Sequence, residues 1–128
     1  MKILLAHPGK LKTVPMGQFV GDALRELGHE VVDFDFSSQW HDKLLEHLTG
    51  RAPHQCANQR LIQVADAIHP DLMLAIFGFD LTPESLEYLK SRSIVRACWW
   101  LNDPFQFDRS LTKANHYDFL FSNALTQV

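Results

Sequence analysis

"KILLA", residues 2–6, is one lysine followed by four apolar side chains, closed at once by His7-Pro8-Gly9-Lys10. A strand with one wet face alternates apolar and polar residues, so an unbroken apolar run asks to be buried on both faces. That requirement is met in a parallel sheet covered by helices. The same texture returns in "DLMLAIF" at 71–77, "IVRACWWL" at 94–101 and "YDFLFS" at 117–122. "EVVDFDF" at 30–36 starts apolar and then alternates Asp33 and Asp35 with Phe34 and Phe36, which predicts a strand whose tail is half exposed.

Helical signals separate these runs. "MGQFVGDALRELGHE" sets Phe19, Val20, Ala23, Leu24 and Leu27 on one stripe, with Gly28 at a left-handed cap, predicting a helix from about 15 to 27. Gly17 and Gly21, four apart, let that helix approach the sheet closely. "SSQWHDKLLEHLTG" reads as a short helix capped by a serine and stopped by Gly50. "PHQCANQRLIQVADAIH" spaces Leu61, Ile62, Ala65 and Ile68 for a helix that must end before Pro70. "LTPESLEYLKSRS" has Thr82 as N-cap, Pro83 in the first turn, Glu84 against the dipole, and Leu86 and Leu89 facing inward. "DRSLTKANH" suggests one more short helix.

Alternating strands and helices predict an α/β fold. It is a three-layer Rossmann-like sandwich with a five-stranded parallel sheet, order 2-1-3-4-5, and helices on both faces. At 128 residues, one domain spans 1–128.

With all strands pointing one way, the segments that follow them share a rim: His7 to Lys10, Asp35 to Ser38, Gly78 to Asp80, Asn102-Asp103-Pro104, and Ser122-Asn123. In open parallel sheets ligands bind outside the carboxyl ends of the strands, where the strand order reverses. Here that point lies between the first and third strands, between "HPGK" and "GFDL". Each candidate also has a purely structural reading. Asn-Asp-Pro ends a strand through local side-chain hydrogen bonds and a ring that cannot extend a ladder. Gly78 can serve a sharp turn, Asp80 a helix start, and His7 simple loop chemistry. Trp99 and Trp100 alternate across their strand, so at least one belongs to the core, while Trp40 and Phe105 are equally suited to stacking on a sugar or base and to meeting a partner domain.

Several classes are excluded or unsupported. A net charge of −3 argues against a dedicated nucleic-acid binder. The first loop lacks both glycine-rich phosphate patterns, leaving a dinucleotide or triphosphate site without support, and no cofactor is expected. Seven histidines give no ligand spacing, so no metal is expected. Cys56 and Cys98 are far apart and read as inert thiols. No run approaches the roughly 20 apolar residues of a membrane span, and no secretory signal opens the chain, which points to the cytoplasm.

The run "HPDLMLAIFGFDLTPESLEYLKSRSIVRACWWLNDPFQFD" resembles the amino-terminal domain of CgeB-like glycosyltransferases, enzymes of the two-Rossmann-domain GT-B architecture. The likeness lies in Pro-Asp before a strand, Gly at its end, the "LTPESL" helix and a strand ending in W-x-x-D-P. The opening "KILLAHPG" and "ALRELGHEVVDFDF", and the late "YDFLFS", are similar to the same family. The resemblance implies transfer of a sugar from a nucleotide-sugar donor to an acceptor. The acceptor would be held by this domain and the donor by a carboxyl-terminal partner domain, so that this fragment alone would be inactive. Carried over by motif are Gly78, Asn102, Asp103 and Pro104, and by position His7 and Gly9. Asp103 and His7 are the candidate general bases; Gly9, Lys10, Gly78, Asp80, Asn102 and Pro104 are the candidate substrate-binding residues. The competing class is a free-standing flavodoxin-like module that senses a small ligand or docks a protein through Trp40 and its neighbours.

Overall fold

The computed structural model describes residues 1–8, 16–36, 40–52, 54–78, 80–100 and 113–122. Strands β1 (Lys2–His7), β2 (Glu30–Asp35), β3 (Leu72–Ile76), β4 (Val95–Trp100) and β5 (Phe119–Ser122) form one sheet in the order β2-β1-β3-β4-β5. Every neighbouring pair is parallel, with Leu4 beside Val32 and Met73, and Ala75 beside Cys98. The expected architecture is therefore the one observed. The chain steps from β1 to β2, then crosses back over β1 to lay down β3, so the order reverses between β1 and β3. The interruption in each apolar run falls at the carboxyl end of its strand.

Helices α1 (Met16–Glu26), α2 (Trp40–Thr49), α3 (Gln55–Ile68) and α4 (Pro83–Ser91) connect the strands. Alternation along the strands sends Leu4, Ala6, Met73, Ala75, Cys98 and Trp100 to one face. There they meet Leu61 and Ala65 of α3 and Leu86 and Leu89 of α4 in the principal core. Each such leucine is fully buried and contributes roughly 1.5–3 kcal/mol over its exposed state. Thr82 caps α4, its hydroxyl accepting from the Ser85 amide at 3.3 Å.

The opposite face is covered over β1 and β2 by α1, and here the sequence expectation needs correcting. Phe19 and Leu27, placed on the inward stripe, are 61% and 73% exposed; the buried residues of α1 are Gly17 and Gly21. A β-carbon at Gly21 would lie 3.3 Å from the Leu5 side chain. The helix comes in too close for large residues at its contact line, and so glycine spacing, not the apolar stripe, sets its rotation. Helix α2 is also inverted: Asp42 and Glu46 are buried while Trp40, Leu44, Leu45 and Leu48 face out.

At the amino edge, Arg96 of β4 is 4% exposed. Its guanidinium donates to the Leu86 carbonyl and to both Asp118 carboxylate oxygens, and the Arg96 amide donates to Asp118 at 2.9 Å. This clamp ties α4 and β4 to the start of β5. Cys56 and Cys98 are both buried free thiols. Among the described residues no helix is long and apolar enough to cross a membrane.

Candidate functional site

The amino ends of α1, α3 and α4 come to the rim formed by the carboxyl ends of the strands, because each of these helices runs back antiparallel to the sheet. At the β1–β3 reversal lies a cavity of about 20 Å³, lined by His7 and Pro8 on one side, by Gly78, Asp80 and Leu81 on the other, and by Phe36 and the ends of β1 and β3. That volume is about that of one water molecule, so the cavity is a small, largely apolar notch and not an enclosed ligand pocket. His7, Gly78 and Asp80, separated by up to 73 positions in the chain, thus share one site. The other candidates, Gly9, Lys10, Asn102, Asp103 and Pro104, lie outside the described residues, as does Phe105.

His7 is the best-defined group. Its Nε2 lies 2.7 Å from Asp33 Oδ1, and Arg25 donates to the other Asp33 oxygen. Partial burial works to raise the pKa of Asp33, but the hydrogen bonds from His7 and Arg25 outweigh it and hold the carboxyl below its usual range. An ionised carboxylate only accepts, so Nε2 carries the proton, and in the neutral ring Nδ1 holds the lone pair. A β-carbon at residue 17 would fall 2.1 Å from that Nδ1. Glycine at this point of α1 is what lets the helix pass directly against the imidazole. The carboxylate orients the ring, and the missing side chain lets α1 close against it.

The other wall is held as firmly. Phe77 and Gly78 both take positive φ, 68° and 66°, at the end of β3. For phenylalanine this conformation is strained, and such strain gathers where a backbone must be aimed. The Phe77 amide donates to the Trp99 carbonyl at 2.9 Å, and the Gly78 carbonyl accepts from Lys113 Nζ at 3.0 Å. Beneath Gly78 sit the Tyr117 hydroxyl and the Cys98 thiol; a β-carbon at 78 would approach them to 2.7 and 3.0 Å. Burial pushes the Cys98 thiol up to about 12 and raises Tyr117 as well, so neither is a nucleophile at neutral pH.

Asp80 is positioned through Asn58 of α3, a side chain 3% exposed. Asn58 Nδ2 donates to the carbonyls of His54 and Asp80, while its Oδ1 accepts from the Thr82 amide at 3.1 Å. His54 Nε2 lies 3.4 Å from the Asp80 carboxylate. The segment 80–82 is therefore pinned to the start of α3, and Asp80 is 35% exposed beside the notch.

Sequence reasoning missed Asp33, Asn58 and Lys113. Asp33 is legible as a charge in a strand, two positions before the strand's end, but Asp35 stands closer to the rim. The parallel register sets Asp35 beside His7 in the backbone, while the side-chain bond from His7 runs diagonally to Asp33. Asn58 carried a legible signal, an amide three positions before Leu61 on the buried side of α3. Among the described residues no group of three or more His, Cys, Asp and Glu side chains is arranged to hold a metal ion. No protein-family model matches the chain, and no curated protein does.

Proposed function

We propose that this chain supplies the acceptor side of a sugar-transfer reaction, with the nucleotide-sugar donor held by a second Rossmann-like domain of the CgeB-like GT-B kind. The observation that carries the reading is His7: an imidazole held by the Asp33 carboxylate at the strand-order reversal, lining one notch with Gly78 and Asp80. A sugar acceptor is a hydroxyl that must lose its proton as it attacks, and a positioned imidazole within reach of that hydroxyl is suited to accept it. In this scheme the acceptor oxygen bonds to the anomeric carbon of the donor. The bond from that carbon to the phosphate oxygen breaks, the nucleotide leaves with the electron pair, and the acceptor proton passes to the His7 imidazole. The notch is the size of one hydroxyl, with Asp80 as a hydrogen-bond acceptor on its far wall. Asp103 is the second candidate base, and Gly9, Lys10, Asn102 and Pro104 complete the proposed acceptor rim.

The test is turnover by the intact enzyme, containing this domain and its donor-binding partner, with nucleotide-sugar donors and a panel of glycoside acceptors. Replacing the base is expected to lower kcat by about 10²–10⁴-fold. His7→Ala and Asp103→Asn are assayed separately. If both leave turnover intact, neither residue is the base. Tight binding of a nucleotide sugar by this chain alone would overturn the assignment of the donor to a second domain.

A further inference from the structure

The notch is too small for a whole acceptor: about 20 Å³ takes a hydroxyl, and the rest of the molecule must lie against a neighbouring surface. The segment 80–82, which closes the notch on one side, continues into such a surface. A groove of about 480 Å³ runs between the amino-terminal halves of α3 and α4, beginning at Thr82. That volume lies within the roughly 300–1,000 Å³ of small-molecule sites. Asn58 joins the two places, since it lines the groove and bonds both the Asp80 carbonyl and the Thr82 amide.

Asn58 and Ser85, each 3% exposed, form the floor of the groove. Gln55, Gln59 and Ile62 stand along α3 at helical spacing, facing Glu84 and Tyr88 of α4. The polar groups of these walls are anchored and still have capacity to bond. Gln55 Oε1 accepts from the Ala52 amide and Gln59 Oε1 from Arg51, both at 3.2 Å, so each side-chain NH2 group remains to donate. Tyr88 donates its hydroxyl to Asp66 at 2.8 Å, which fixes the ring at the end of the groove away from Thr82 and leaves the phenol oxygen able to accept. The exposed Glu84 carboxylate is an acceptor too. Ile62 and the Tyr88 ring add apolar surface.

Charge selects among ligands. Among the described residues no lysine, arginine or histidine lines the groove, and one carboxylate, Glu84, does. The helix starts that border it are met by the chain's own acids: Glu46 Oε1 accepts the Cys56 amide at 3.2 Å, and Glu84 lies in the first turn of α4. A phosphate or carboxylate placed here would meet Glu84 with no cation to offset it. What fits is an uncharged molecule carrying several hydroxyls and apolar C–H faces.

We infer that the groove between α3 and α4 binds the outer sugar units of an uncharged oligosaccharide acceptor, whose reacting hydroxyl reaches the notch. The anchored amides and the Glu84 carboxylate pair with ring hydroxyls, and the Tyr88 ring packs on a C–H face. The inference rests on the sugar-transfer reading for the ligand's role; the groove and the class of ligand are its own content.

The experiment is a nitrogen-15 NMR titration of the 128-residue chain with cellotriose, maltotriose and chitotriose, and with trigalacturonate as the charged counterpart. At least one neutral trisaccharide is expected to shift the Gln55 and Gln59 side-chain amides together with the Ser85 backbone amide, while trigalacturonate leaves them in place. Gln59→Ala and Tyr88→Leu should each weaken the neutral ligand by about fivefold or more. Glu84→Gln should let trigalacturonate bind. Far-UV circular dichroism and unchanged amide shifts in β1 and β3 show that each variant is folded. Absence of groove shifts with all the neutral probes would overturn the inference. So would tighter binding of trigalacturonate than of any of them, or unchanged affinity in both Gln59→Ala and Tyr88→Leu. Turnover by the intact enzyme separates this inference from the reading beneath it. Full activity in His7→Ala and Asp103→Asn, with trisaccharides still titrating the groove, would remove the base and leave the groove standing. Inactive variants, with no trisaccharide reaching the groove, would do the reverse.

Discussion

Replacing Gly78 by alanine tests whether the β3 wall of the notch is as constrained as its surroundings imply. Two costs can be worked out separately. Residue 78 has φ 66°, where an L side chain costs about 1–2 kcal/mol. The new β-carbon would also stand 2.7 Å from the Tyr117 hydroxyl and 3.0 Å from Cys98 Sγ, inside the core, where overpacking costs typically 1–3 kcal/mol. Gly78→Ala should therefore lose about 2–5 kcal/mol, a large part of the roughly 5–15 kcal/mol that holds a domain of this kind folded. The assay is urea denaturation followed by circular dichroism, with the midpoint moving at constant slope. Tyr117→Phe separates the two costs, because it removes the oxygen nearest the new carbon and leaves φ unchanged. In a double-mutant cycle the pair should recover about 1 kcal/mol relative to additivity. A stability change below about 0.5 kcal/mol for Gly78→Ala, or strict additivity with Tyr117→Phe, would refute the packing described here.

Other perturbations have equally definite outcomes. Asn58→Ala removes the bonds to His54, Asp80 and Thr82 and should cost about 2–4 kcal/mol, with faster hydrogen exchange of the Thr82 amide; exchange at its original rate would contradict the hub. Hydrogen bonds from Arg96 hold Asp118 below the usual carboxylate range. A depressed carboxylate stabilises the fold above its unfolded pKa, and that share is lost as pH falls below about 4 and through the folded value. Asp118→Asn should accordingly lower stability at pH 7 and flatten the acid limb of the stability–pH curve. Because Asp118 is 41% exposed the loss should be modest, about 1–2 kcal/mol, and an unchanged acid limb would count against the clamp.

The fold was legible because apolar runs such as "KILLA" and "DLMLAIF" admit few arrangements: strands without a polar face need cover on both sides, and short helical segments between them enforce parallel order. Local caps were equally readable at Thr82 and Gly28. The rotation of α1 was not, since Phe19 and Leu27 form a convincing stripe and only the distance between backbone and sheet reveals that Gly17 and Gly21 take the contact. Helix α2 misleads for the reverse reason. Its inward face is chosen by Arg60 and the Cys56 amide, partners remote in sequence, so its hydrophobic periodicity predicts a helix without saying which side faces the core. At the notch, His7, Gly78 and Asp80 followed from strand order alone. The groups that hold them, Asp33 and Asn58, depend on a diagonal contact across β1 and β2 and on how α3 docks, neither of which a linear pattern records.

The claim on which the functional account turns is that Asp33 fixes the His7 imidazole with its proton on Nε2 and its lone pair on Nδ1. Nitrogen-15 NMR of the histidine side chains, in alkaline buffer where imidazoles are neutral, reads this directly. His7 should show the Nε2–H tautomer in the unaltered chain and lose that preference in Asp33→Asn. A His7 ring protonated on Nδ1, or one whose tautomer is indifferent to Asp33, would contradict the account.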